Sequence, residues 1–386
     1  MLSIVRTFTR DDIPQVADLY QRVYLPSYSG DRSALLVSLA AYFHDLFFNR
    51  PWNDDFISSL VCEDADRRVI GFTGVLPRRM VFKGRSIRMA NSFHFMAEPK
   101  SHALAGVQVL KALLLGPQDF TFTDHGGEIG RRVWEGLGGS IAFAQSLNWT
   151  RLLRPVTHSF SLARSKAQAL ATVSWFATPV CRVADSVLSR FSGLWPGRLA
   201  EQRDGLTETE LDVGTLLDCI ERFSSHYALR PDYDAETLGW LLSRAEKLTQ
   251  HGALQKVALR DANGEVVGSY IYYLSTANAS KVLHMTAKRQ LIFNVLDHLF
   301  LHAWRRGASV LAGRLDPRLM REMSNKRCRF DSQGGWTMVH SNDPDLLQAI
   351  HSGDAWLSRL EGEWCMLYQP PPDLSRLIVA HPTSWR

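Results

Sequence analysis

Asp64-Ala65-Asp66-Arg67-Arg68-Val69-Ile70-Gly71 returns later in the chain as Asp261-Ala262-Asn263-Gly264-Glu265-Val266-Val267-Gly268. Each copy is a polar turn that feeds a β-branched run, and each ends on a glycine, where backbones can approach closely. A second correspondence keeps the same distance. Gly138-Gly139 begins 67 residues after Gly71, and Gly334-Gly335 begins 66 residues after Gly268. Both pairs follow a helix-like run and precede a strand-like one, Ser140 to Ala144 and Trp336 to His340. Turn residues recur in any sequence, so either match alone would mean little. Their common spacing makes an internal duplication the better account.

Outward from these anchors the two halves read alike. Asp11-Asp12-Ile13-Pro14 puts acids and a proline in a first helical turn, and Val16, Leu19, Tyr20 and Val23 follow at helical spacing. Leu216, Leu217, Ile220 and Phe223 do the same in the second half. Strands are expected at Val69 to Val75, Arg79 to Phe82 and Ile87 to Met96, then at Gln255 to Leu259, Val266 to Leu274 and Lys281 to Thr286. Each half continues with a long helix, a strand (Phe120 to Thr123; Ser309 to Arg314), a short helix and the Gly-Gly turn. The aromatic run Ala41 to Phe48 reads as a packed helix, and Tyr270, Tyr272 and Tyr273 as an inner strand.

Between the halves, Arg151 to Arg203 holds eight Arg/Lys against Asp185 and Glu201. Ala167 to Cys181 is uncharged, fifteen residues long, and too short to span a bilayer. It reads as a helical linker, with a basic surface for anionic membrane as the sharper alternative. The expected organisation is therefore a first domain over 1–150, a linker over 151–204, a second domain over 205–370 and a tail over 371–386.

Bulk properties exclude several classes. A chain of 386 residues with 45% hydrophobic and 22% charged side chains can build a sizeable core. A net charge of +5 and a pI near 9.0 suit anionic ligands and fall short of a nucleic-acid protein. Cys62, Cys181, Cys219, Cys328 and Cys365 are isolated, so neither a disulfide framework nor a zinc site is expected. The first residues carry acids by position 11 and lack an apolar signal core, and no run of about 18 apolar residues occurs. These features point to a soluble, cytoplasmic protein.

The chain resembles the GNAT N-acyltransferases. Val5 to Ile13 looks like that superfamily's first strand and helix start, and Val69-Ile70-Gly71-Phe72 like its hairpin into the third strand. Phe93 to Pro99 looks like the fourth strand, and Arg131 to Gly139 like the last helix and its glycine turn. The resemblance implies an α/β (α+β mixed sheet) fold with two GNAT-like domains in tandem, the second degenerate. It implies an acyltransferase that uses acyl-CoA, such as acetyl-CoA, as co-substrate and needs no metal. The acceptor would be an amine or hydroxyl of a small molecule, a sugar or a carrier-bound intermediate. Alternatives are transfer of a longer chain from an acyl carrier protein, met through 151–203, and a non-catalytic binding subunit of the same fold.

The resemblance also places a site. The superfamily holds pyrophosphate on a Gly-rich turn opening a helix, where backbone N–H groups and the helix dipole favour anions. Here Lys100-Ser101-His102-Ala103-Leu104-Ala105-Gly106 follows Pro99, with His102 in the arginine position and Ala103 and Ala105 in glycine positions. Donor binding is thus assigned to His102, Ala103, Leu104, Ala105 and Gly106, together with the strand residues Phe95, Met96 and Ala97. Alternation puts Ser92, His94 and Met96 on one face, which makes His94 the base candidate. Asp124 and His125, just after an expected strand end, are the other candidates, and Glu128 is a weaker one. Trp134 stands where the superfamily often has a tyrosine acid. The second half offers Met285-Thr286-Ala287-Lys288-Arg289-Gln290 at the loop position, with no glycine. One donor site per chain, in the first half, is expected.

Overall fold

A computed structural model of the chain describes residues 3–52, 54–98, 103–159, 205–332, 335–362, 365–371 and 374. The linker beyond residue 159, His102 and most of the tail lie outside them.

Amphipathic and alternating segments become elements largely where the sequence suggests. The chain opens with β1 (Ile4–Thr7), α1 (Ile13–Tyr24), α2 (Arg32–Phe48) and β2 (Leu60–Glu63). It continues with β3 (Val69–Phe82), β4 (Arg85–Ala97), α3 (Ala103–Leu114), β5 (Phe120–Gly126), α4 (Glu128–Gly136), β6 (Ser140–Ile141), α5 (Phe143–Ser146) and β7 (Asn148–Leu152). After the linker come β8 (Thr207–Glu210), α6 (Val213–Ser224), β9 (Leu229–Pro231), α7 (Ala235–Lys247), β10 (Ala253–Arg260), β11 (Val266–Leu274) and β12 (Ser280–Ala287). The last elements are α8 (Ile292–Arg305), β13 (Val310–Arg314), α9 (Met320–Asn325), β14 (Arg329–Asp331), β15 (Trp336–His340) and α10 (Pro344–His351). The separate strand expected at Arg79 is instead the end of one 14-residue strand, which runs straight through Pro77. The strand expected over Ser140 to Ala144 stops at Ile141, because Phe143–Ser146 turns helical.

Two mixed sheets result. The first has eight strands, ordered β1-β2-β3-β4-β5-β15-β6, with β9 added beside β3. The second has seven, ordered β14-β7-β13-β12-β11-β10-β8. The compact units follow the sheets. One contains residues 1–146, 227–247 and 332–386, the other 147–226 and 248–331. Boundaries at 150 and 205 therefore miss an exchange. β7, made with the first half, inserts between β13 and β14, while β15, made with the second, inserts between β5 and β6. Strand period says which face is buried and is silent about the neighbour, so the exchange leaves no mark in the sequence.

The duplication is visible inside each unit. Asp64 accepts from the backbone of Asp66 and Arg68, and Asp261 accepts in the same way from Asn263 and Glu265. The left-handed residue of each turn is Arg67 (φ 59°) in one copy and Gly264 (φ 80°) in the other. Gly71 pairs with Ala97 and lies under Val109 of α3, and Gly268 pairs with Ala287 and lies under Val295 of α8.

Candidate active site

The site grows from a gap in the first sheet. β4 and β5 run parallel but pair only at Met89–Phe120, Ala90–Thr121 and Asn91–Phe122. Beyond that level β4 continues to Ala97 and β5 to Gly126. Two strands that part while still extended leave main-chain donors and acceptors facing an opening, as at a sheet edge.

At the mouth of this opening β4 is irregular. Its pairing with β3 shifts between Phe72–Met96 and Gly74–Phe93, so β4 carries one extra residue. His94 has φ 51°, the left-handed conformation a bulge residue adopts. The extra residue overturns the expected alternation. The hydroxyls of Ser92 and Thr73 meet at 3.0 Å on the face covered by α3. Phe93 and His94 both turn to the α1/α2 face, where Phe93 stacks on Phe47 and His94 lies edge-on to Tyr20, Tyr42 and Phe43.

There His94 is 3% exposed. Its Nε2 lies 2.5 Å from the Tyr42 hydroxyl, which also donates to the Met366 carbonyl. Burial pushes the imidazole down to about 3, the Met366 carbonyl works against that, and the charge of Arg244 adds to it. A base for an amine at neutral pH should titrate near 7, so burial in an aromatic cage argues against His94 in that role.

Asp124 and His125 lie within β5 rather than after it. Asp124 is buried and leaves no room for a side chain on Gly362. Its charge reaches Cys365, whose buried thiol is pushed up to about 12. Gly362 therefore lies against Asp124, Cys365 feels its charge, and the Met366 carbonyl meets the His94–Tyr42 pair. His125 packs against Gly335, whose φ of 108° requires glycine. The Arg131 guanidinium, 2.6 Å away, pushes the exposed Glu128 carboxyl down to about 2. Trp134 is fully buried, and its indole N–H donates to the Val339 carbonyl at 2.9 Å. That is a structural bond to the exchanged strand.

The donor-binding residues divide in three ways. Phe95, Met96 and Ala97 end β4, with the Phe95 carbonyl accepting from Tyr24 at 2.9 Å. Ala103 opens α3, and no acid stands in its first turn. Ala105 is buried against Gly71, and a Cβ on Gly106 would stand 3.0 Å from Phe95, so both hold α3 to the sheet. Leu104 is 73% exposed.

In the second unit β12 and β13 also pair in parallel at three positions, but β13 ends at Arg314, one residue past its last pair with β12. Arg289–Leu291 forms a tight turn before α8, and the Lys288 ammonium lies 2.7 Å from Glu265. The opening is short and its basic side chain is engaged.

The structure adds residues that sequence reasoning passed over. Arg78 is buried in β3, the half-buried Arg50 follows α2, and Arg244 and Trp240 lie one turn apart on α7. Arginine inside an otherwise apolar strand run was the available signal. Among the described residues no group of His, Cys, Asp and Glu is arranged to hold a metal, and no helix is long and apolar enough to cross a membrane.

No protein-family model and no curated protein matches the chain. Solved structures do. A protein of unknown function from Enterococcus faecalis V583, described as a probable N-acyltransferase, has a TM-score of 0.54 and 12% identity over 88% of this chain and 72% of its own. A GCN5-related N-acetyltransferase from Anabaena variabilis ATCC 29413 gives 0.54 and 10% over 89% and 74%. One from Kribbella flavida gives 0.51 and 11% over 88% and 70%. A parted β4–β5 pair with a bulge at its mouth, repeated in reduced form, is thus set in a known architecture: this chain has the GNAT N-acyltransferase fold in two units.

Proposed function

We propose that the first unit binds acyl-CoA in the β4–β5 opening and transfers the acyl group to an amine or hydroxyl of an acceptor. The parting of β4 and β5 after Asn91 and Phe122 carries this reading. An extended amide chain such as pantetheine adds to exposed strand backbone by main-chain hydrogen bonds. The first turn of α3, free of acids and bearing the exposed Leu104, suits the pyrophosphate by its backbone donors. The bulge at His94 turns main-chain groups out of the ladder, and such a preorganised donor stabilises the oxyanion formed as the thioester is attacked.

In this reading Asp124 or His125 takes the acceptor's proton from the β5 side. His94, neutral in its cage, positions Tyr42. Loss of transfer with retained CoA binding is the second reading, and it is favoured by Trp134, whose indole cannot serve as an acid. Residues of the 151–203 segment that would meet a membrane or an acyl carrier lie mostly outside the described ones.

Calorimetric titration of the full chain with acetyl-CoA tests the proposal. One site per chain is expected, with CoA release upon addition of an amine acceptor. Absence of binding would sink both readings, and binding of two equivalents would sink the assignment to the first unit.

A further inference from the structure

The β4–β5 opening has a blind end, and its walls are filled. At the bottom the strands are joined by the pair Asn91–Phe122, both buried. On the α3 face stand the buried hydroxyls of Ser92 and Thr73, engaged with each other. On the α1/α2 face stands Phe93, which follows closely on the last pair of β4 with β5. Its ring stacks on Phe47 at 5.5 Å and 12°, and Phe47 stacks in turn on Phe43 at 6.0 Å and 10°. Phe72 stands edge-on to both Phe43 and Phe47, at 5.8 Å each. All four rings are buried. The stack is tight against the sheet as well. A Cβ on Gly74, the partner of Phe93 in β3, would stand 2.5 Å from the Phe47 ring. An interior packed in this way makes room for further methylenes only by moving whole rings.

This wall bears on the donor. A thioester held at the His94 bulge directs its acyl chain towards the blind end, and Phe93 is the next residue of β4 in that direction. A short acyl group stops before the stack. A longer one meets the rings of Phe93 and Phe47 on one side. On the other it meets hydroxyl groups, which offer an apolar chain no compensation for their lost hydrogen bonds. We propose that Phe47 and Phe93 close the donor site and limit its acyl group to acetyl or propionyl. The inference rests on the acyl-transfer reading above and deepens it: between a short acyl-CoA and a long chain on a carrier protein, it assigns the first.

Calorimetry on the full chain tests it with CoA, acetyl-CoA and octanoyl-CoA. Each methylene buried in an apolar channel tightens binding about fourfold. The wild-type chain should show no such gain and bind octanoyl-CoA no tighter than acetyl-CoA. Phe47→Ala leaves an apolar hole beside Phe93, which a chain can fill, and should shift the ratio of the two affinities about tenfold or more towards octanoyl-CoA. Phe300→Leu, in the core of the second unit, should leave the ratio unchanged. Should Phe47→Ala fail to fold by circular dichroism, Phe47→Leu and Phe93→Leu carry the test, with a shift in the same direction expected. A tenfold preference of the wild-type chain for octanoyl-CoA, or the wild-type ratio in the folded variants, would overturn the limit. CoA itself separates the two ideas. A chain that binds CoA and prefers octanoyl-CoA removes the limit alone, whereas a chain that binds none of the three removes the acyl-transfer reading.

Discussion

Arg67 and Gly264 occupy one position of a repeated turn, and only one of them suits it. A left-handed residue with a Cβ costs about 1–2 kcal/mol, which glycine avoids. Part of that gain is lost to the larger unfolded-state entropy of glycine, so Arg67→Gly should stabilise the chain by roughly 0.5–1 kcal/mol. Urea denaturation measures this, and a lower midpoint would contradict it. His94 and His284 are both buried with pKa values near 3. A depressed histidine is neutral when folded and takes up a proton on unfolding. Its stabilisation is whole above the unfolded pKa near 6.5 and drains as pH falls towards 3. Between pH 7 and pH 5 each should cost about 2 kcal/mol. The depressed carboxylates Asp12, Asp212 and Asp234 keep their contribution down to about pH 4. That interval therefore reads the histidines, and a thermal midpoint that stays flat from pH 7 to pH 5 would refute the account.

At the scale of elements, α3 offers a discriminating substitution. Ala105→Asp would bury a carboxylate against Gly71 and confuse binding with folding. Leu104→Asp adds charge at an exposed position in the first turn, where an acid stabilises a helix by about 0.3–1 kcal/mol. Stability should hold or rise while acetyl-CoA affinity falls about tenfold. A loss of both would mean that the turn is structural only. Elements of this kind were legible in the sequence. Val266–Leu274 appears as expected, and the hairpin copies, the helix starts and Gly71 with Gly268 follow from local pattern. The bulge was not legible, because a histidine in a left-handed conformation looks like any other histidine in a strand. Without the bulge, alternation puts His94 on the face of Ser92, which it does not share. Arg78 and Arg244 meet over Trp240 from a strand and a distant helix, and periodicity cannot report such convergence.

For the whole molecule, the exchange of β7 and β15 decides what can stand alone. A fragment of residues 1–150 keeps the first-half motifs but lacks β9, α7, α10 and β15, all of which belong to the first unit. Without β15, Phe122 and Thr123 lose their antiparallel partners Val339 and Met338, and the indole of Trp134 loses its acceptor on Val339. The fragment should show no cooperative thermal transition by circular dichroism. A sharp transition would mean that the first half folds without its borrowed strand. The same exchange has a consequence in time. β5 and β6 are synthesised roughly 200 residues before β15, or about 10–40 s earlier on a ribosome. For that interval the nascent chain carries a slot between two strands, and bare strand edges accept any partner of matching pattern. The first such strand to arrive fills it, whether from the same polypeptide or a neighbouring one. Slow translation and dense expression are thus the conditions that choose between a self-completed chain and a pair joined by mutual strand donation.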